Sequence, residues 1–165
     1  MLNEIKKDLI GYEIATITKQ NFEQIFEVYD TNQDFFLLVQ GKKATIESSI
    51  GDVDALPLNC NIDQKVYISI WQDYKVVGIL DLIKEYPEQT SFWIGLLLIH
   101  GSLHGEKIGN RIVDAVLNAA KIAGYKSAQL GVIESNIKGI AFWQKHGFDI
   151  FRHSANIVVM AKRIL

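Results

Sequence analysis

Residues 92–123 constrain the fold more than any other stretch. Phe92 to Ile99 is a continuous apolar run, as expected for a strand covered on both faces. It leads through His104-Gly105-Glu106-Lys107-Ile108-Gly109 into a segment, Lys107 to Ala123, with apolar residues at 108, 112, 113, 116, 117, 120 and 123. That spacing predicts an amphipathic helix, and Gly124 stops it. A strand, a glycine-containing loop and a helix place unpaired N–H groups at the positive end of a helix dipole, where anions bind. A plain tight turn between strand and helix has the same composition. The loop lacks the Lys-Ser/Thr ending of a triphosphate P-loop and the three-glycine dinucleotide fingerprint.

The rest of the chain supplies partners for that unit. Tyr12 to Thr18 reads as a first strand. Asn21 caps a helix through about Tyr29, and Asp34 to Gln40 is a second helical segment closed by Gly41. Residues 42–64 show no clean period and read as a short helix plus a loop. Lys65 to Gln72 and Lys75 to Lys84 form a hairpin about Asp73-Tyr74. Ser127 to Ile133 is a strand, Asn136 caps a helix through about Lys145, and Phe148 to Arg152 and Ala155 to Lys162 are two final strands. The order β, α, α, β, β, β, α, β, α, β, β predicts a mixed α/β chain with one central sheet. It holds too many antiparallel hairpins for a doubly wound fold. With 165 residues, no repeat and no Pro/Gly/Ser-rich linker, a single domain over 1–165 is expected.

Charge divides the chain. Residues 1–90 hold 8 basic and 15 acidic side chains, a balance of −7; residues 91–165 hold 9 and 4, a balance of +5. The basic half therefore suits an anionic ligand. The one cysteine, Cys60, excludes an internal disulfide, and no Cys/His cluster has metal-ligand spacing. Lys6-Lys7 and Lys42-Lys43 lack the interleaved aromatics of a nucleic-acid surface, so no nucleic-acid partner is expected. No apolar run approaches the ~20 residues of a membrane helix, and Met1 to Ile10 has no signal-peptide core. A cytoplasmic protein without a membrane partner is the expectation.

Asn136-Ile137-Lys138-Gly139-Ile140-Ala141-Phe142-Trp143-Gln144-Lys145-His146-Gly147-Phe148 resembles the Asn-x-x-Ala-x-x-Phe-Tyr-x-Lys-x-Gly-Phe pattern of the GNAT family of N-acetyltransferases. The loop after Leu97-Leu98-Ile99 is similar to that family's Gln/Arg-x-x-Gly-x-Gly/Ala motif. The two lie about 30 residues apart in the right order, and the resemblance is good over residues 65–165. It implies a mostly antiparallel sheet whose fourth and fifth strands splay apart, with acetyl-CoA in the gap. The strand backbone around Leu97 and Ile99 would bond the pantetheine arm. An N–H near Leu97 or Leu98 would face the thioester oxygen. The N–H groups of His104, Gly105, Glu106, Lys107, Ile108 and Gly109 would cradle the pyrophosphate. Asn136, Phe142 and Trp143 would lie beside the cofactor. The implied reaction is direct acetyl transfer to an amine of a small molecule or peptide. Many members are homodimers.

The sequence departs from the pattern in four places. Trp143 replaces the Tyr that often serves as general acid, and an indole N–H is not a useful acid. Trp93 stands where an early carboxylate is common. Lys107 replaces the first motif glycine, and His104 the Arg or Gln. The base must then come from elsewhere. Asp81, a carboxylate within the apolar Gly78 to Ile83, leads; Glu134 and His100 follow, and Tyr86 is a candidate pocket residue. The acidic half, with Asp81, Glu85 and Glu88, would then favour a cationic acceptor, while Lys107 and Arg111 would serve the phosphates. A non-catalytic CoA-binding module of the same fold is the alternative.

Overall fold

In the computed structural model, which describes residues 1–165, seven strands form one sheet. They are β1 (Glu13–Thr16), β2 (Lys65–Gln72), β3 (Lys75–Lys84), β4 (Ser91–Ile99), β5 (Ser127–Ile133), β6 (Asp149–Ser154) and β7 (Ile157–Arg163), in the spatial order β1-β2-β3-β4-β5-β7-β6. Every neighbouring pair is antiparallel except β4 and β5. The mixed α/β, mostly antiparallel architecture expected from the sequence is the one found.

Helices cover both faces. Helices α1 (Leu2–Asp8) and α5 (Ile108–Ile122) bury Ile5, Leu9, Ile112, Val116 and Ala119 against one face. On the other face, α2 (Phe22–Asp30) and α3 (Gln33–Gln40) bury Phe22, Ile25, Tyr29 and Phe36 over Tyr67, Ile79 and Leu98. The short α4 (Ile46–Ser49) runs into a 3₁₀ turn, Ile50–Val53, and α6 (Ile137–Lys145) lies beside the open end of the sheet. Helix α1 had no counterpart in the sequence reading. It spans seven residues with no side-chain cap, too short to hold itself in water, and is held by Ile5 and Leu9. Lys107 is the N-cap of α5 rather than its first residue.

Two irregularities position the site. Pairing of β4 with β5 stops at Ile94 and Leu130, although the strands continue to Ile99 and Ile133. From that point the sheet forks. At the same place β4 bulges: Asp81 opposes Leu96 while Leu82 opposes Ile94, so Gly95 is the extra residue. Gly95 lies mid-strand yet is exposed at the fork, and a Cβ there would come within 3.0 Å of the Asp81 carboxylate.

Candidate active site

The fork opens into two cavities. One, about 870 Å³, lies between the start of α5, the α2–α3 junction and α6. Its walls include eight of the twelve residues expected to hold the cofactor: Leu97, Leu98, Ile99, His104, Gly109, Asn136, Phe142 and Trp143. The other four, Gly105, Glu106, Lys107 and Ile108, form the adjoining loop and the first helical residue.

Backbone geometry divides these residues further. The His100 N–H donates to Val77 O on β3 at 2.9 Å. Alternation along a strand then commits Leu98 to β3 and turns Leu97 and Ile99 toward the open edge. Of the two candidates for the thioester oxygen, Leu97 is the one whose N–H faces the fork. The Ile99 carbonyl is already taken, by Asn32 Nδ2 and His104 Nε2, each at 2.9 Å. One of the four edge groups of that expected ladder is therefore occupied by the chain itself. Asn32, buried at the α2–α3 junction, also bonds Val28 O at 2.7 Å and so ties this junction to the fork.

In the loop, the N–H groups of His104 and Glu106 close turns onto Gly101 O and Leu103 O. Those of Gly105, Lys107, Ile108 and Gly109 have no acceptor in the chain. The cradle is thus four free donors rather than six. Lys107 adopts φ +61°, the left-handed backbone that its family-pattern glycine would take without strain. Arg111, expected to face the phosphates, instead bonds Tyr12 Oη at 3.1 Å and lies over that ring.

Asn136 caps α6, its Oδ1 accepting the Gly139 N–H at 3.0 Å. Phe142 and Trp143 meet edge-on at 5.0 Å, and Trp143 packs on Phe148. Phe35, Leu97, Asn136 and Trp143 line both cavities and form the throat between them.

The second cavity, about 340 Å³, lies past this throat and holds Asp52 and Asp81. Behind its wall is a polar cluster that the sequence did not reveal. Lys65 Nζ, with a side chain only 3% exposed, donates to Asp81 Oδ2 at 2.8 Å and to Ala55 O at 2.9 Å, and lies 5.2 Å from the Tyr67 ring. Asp81 Oδ1 is the one buried side-chain polar atom without a hydrogen-bond partner. Asp52, from the Ile50–Val53 turn, accepts the Tyr29 hydroxyl at 2.9 Å, and Tyr29 is bonded in turn to the Tyr67 hydroxyl. With the Tyr29 O–H directed at Asp52, the Tyr67 O–H is directed at Tyr29. Burial pushes both phenols up, so they stay protonated and add donors rather than charge. Burial also pushes the Asp81 carboxyl up, against the pull of Lys65; Asp52 is raised the same way, against the Tyr29 hydrogen bond and Lys65.

Other candidates lie elsewhere. Glu134 is 65% exposed, 4.0 Å from His153, and lines neither cavity, because β5 ends before it and the chain turns outward. Glu85, Tyr86 and Glu88 sit in the β3–β4 loop, outside both cavities, with Tyr86 edge-on to Trp93 at 5.8 Å. Asp52 brings the negative charge expected of that loop. His100 lines the cofactor cavity, bonded to Ser102 and 3.2 Å from Glu27.

A forked sheet with a free strand edge inside the fork and unpaired helix N-terminal donors beyond it defines a fold built to hold an acyl-CoA. The fit is visible in the chain's own groups: the Leu97 edge for the amide-bearing arm and four N–H donors for the phosphates. The chain belongs to the acetyltransferase (GNAT) family, whose model matches residues 25–148. The cofactor of this family is acetyl-CoA or coenzyme A. The fold is shared with an acetyltransferase from Thermus thermophilus, at 21% identity over 94% of this chain and 98% of that one, TM-score 0.81. It is also similar to the PaiA N-acetyltransferase of Thermoplasma acidophilum in complex with coenzyme A (18%, 93% and 99%, 0.69). Ard1 of Thermoplasma volcanium is a third such structure (18%, 94% and 99%, 0.67). Among curated proteins none matches the chain in sequence. No helix is long and apolar enough to cross a membrane.

Proposed function

We propose that the chain transfers an acetyl group from acetyl-CoA to a primary amine of a small molecule or peptide, by direct attack within a ternary complex. One observation carries this reading. The cavity with free phosphate-type donors and the cavity with two carboxylates share a throat at Leu97, Asn136 and Trp143. Acetyl-CoA supplies the acetyl group as a thioester, already activated toward an amine.

The chain's own residues supply the rest. An alkyl ammonium has a pKa of about 10.4, so a base must take its proton before it can attack. Asp81 is that base: it lines the acceptor cavity, and burial raises its proton affinity. Lys65 holds the carboxylate in place. The Leu97 N–H stabilises the oxyanion that forms on attack. Asn136, fixed as a helix cap, and Trp143 shape the throat and exclude water. Trp143 gives up no proton, so the thiolate departs unprotonated, tolerable at a thiol pKa of roughly 8.5, and then takes the second proton shed by the attacking nitrogen as the amide forms.

That same Trp143 favours a second reading, a CoA-binding module without catalysis. Thiol release from acetyl-CoA over a panel of amines separates the two. Release with any amine supports acetyl transfer. Tight CoA binding without release across the panel supports the module, and no CoA binding removes both.

A further inference from the structure

We infer that the acceptor is a compact primary monoamine with an apolar body, its ammonium held between the carboxylates of Asp52 and Asp81. This inference rests on the acetyl-transfer reading and narrows its acceptor class.

Charge is the first ground. The acceptor cavity holds two carboxylates, and one buried cation, Lys65, already pairs with Asp81. Tyr29 and Tyr67 bring hydroxyls but no charge. One negative charge is left uncompensated, so a single ammonium closes the balance in a site where burial makes unpaired charge expensive. A polyamine would bring at least one further cation with no partner. Hydrogen-bonding capacity agrees, since Asp52 accepts only from Tyr29 and Asp81 Oδ1 accepts from nothing. An ammonium has three N–H donors to offer.

The remaining wall is the second ground. Twelve of the eighteen lining residues are hydrophobic, and Phe35, Phe36 and Val39 of α3 face the carboxylates' cavity. Besides the two Asp residues, the only side chains with polar atoms are Gln40, Asn136 and the indole of Trp143. Gln40 and Asn136 each spend one polar atom within the chain: Gln40 Nε2 donates to Lys42 O and Asn136 Oδ1 accepts from Gly139. A peptide or sugar acceptor would bury several amides or hydroxyls here against apolar walls, and each group left unpaired weakens binding. Size is the third ground. About 340 Å³ is at the small end of the roughly 300–1,000 Å³ of small-molecule sites.

The test compares 2-phenylethylamine and 3-methylbutylamine with spermidine and an Ala-Gly-Ser peptide, by thiol release at saturating acetyl-CoA. The expected result is a kcat/KM at least tenfold higher for the two monoamines. Asp52→Asn, which keeps an oxygen for the Tyr29 hydroxyl, should raise the monoamine KM at least tenfold and leave the acetyl-CoA KM within twofold. Equal or better turnover of spermidine or the peptide overturns the inference, as does an Asp52→Asn variant with an unchanged amine KM. If CoA binds and no amine is turned over, the acetyl-transfer reading fails, and calorimetry on the CoA complex decides the amine site separately. Binding of 2-phenylethylamine that is lost in Asp52→Asn then upholds it, and no binding overturns it.

Discussion

Breaking the Lys65–Asp81 pair one side at a time should separate its structural work from its chemical work. The two charges meet at 2.8 Å with side chains 3% and 16% exposed. At an effective dielectric of about 20 their gross attraction is about 6 kcal/mol, set against the loss of hydration of both ions. Asp81→Asn keeps an amide oxygen beside Ala55 O for the Lys65 ammonium but removes its counter-charge, and removing one charge of a buried pair costs about 3–5 kcal/mol. For a chain of this length that lowers Tm by about 6–20 °C. Lys65→Met leaves the carboxylate unpaired instead, and burial raises its pKa further. An acid with a raised folded pKa stabilises the fold fully below its unfolded value of about 3.9, and that contribution is lost as pH rises through the folded pKa. Lys65→Met should therefore be less destabilised at pH 5 than at pH 8. The double variant Lys65→Met/Asp81→Asn removes both charges, so it should fall short of the summed single losses by about 3 kcal/mol or more. Urea unfolding with an unchanged m value measures all three. Additivity within about 0.5 kcal/mol would refute the coupling. Turnover is read at a temperature where every variant is folded. Asp81→Asn should lower kcat by about 10²–10⁴, the range for a general base, with the CoA Kd within about threefold. Turnover that survives Asp81→Asn would remove Asp81 as the base.

Three other substitutions test separate parts of the fork. Gly101→Ala places a Cβ 2.6 Å from the Thr31 carbonyl, a backbone atom that cannot swing aside; stability should drop by about 1–3 kcal/mol and the CoA Kd should rise as the α2–α3 junction is pushed from β4, both measurable by calorimetry. Lys107→Gly relieves the left-handed backbone at φ +61° and should raise the urea midpoint by the equivalent of about 0.5–1 kcal/mol, net of the glycine's own entropy; an unchanged or lower midpoint contradicts it. His146 is held below its usual pKa by burial and bonds Asn110 Oδ1 at 3.1 Å, so its contribution is present above about pH 6.5 and lost as pH falls through the folded pKa; His146→Gln should flatten the stability curve between pH 7 and pH 5.

The cofactor side of the site was legible because its chemistry is local. An apolar strand, a loop and a helix start are contiguous, and Asn136 caps the helix whose Phe142 and Trp143 line the same cavity. Backbone geometry added what residue types cannot show: Leu97 free but Leu98 committed to β3, and His104 and Glu106 closed into turns. The acceptor side was illegible because its parts meet only through tertiary contact. Tyr29 reaches Asp52 across 23 residues and Tyr67 across 38. Asp52 lies in a stretch with no period, where pattern carries no signal.

Lys65 and Asp81 come nearest to a pair the sequence could have announced, and one irregularity decides it. The turn opposes Gln72 to Lys75 and Trp71 to Val76. Continued without interruption, that register would set Asp81 opposite Val66. Both would then face α5, and a carboxylate would enter the apolar core. The register instead shifts between Trp71 and Ile70, so Val77 is extra and Tyr67 opposes Asp81. Because side chains alternate along a strand, this single residue moves Asp81 to the face of Lys65 and Tyr67. The second bulge, at Gly95 on β4, then removes the side chain that would have crowded the carboxylate. The first bulge, at Val77, has no mark of its own in an otherwise apolar hairpin, whereas the second sits on the one glycine of β4. The proposed base is thus written in residue 81, but its exposure to the cavity is written in two one-residue slips of the sheet.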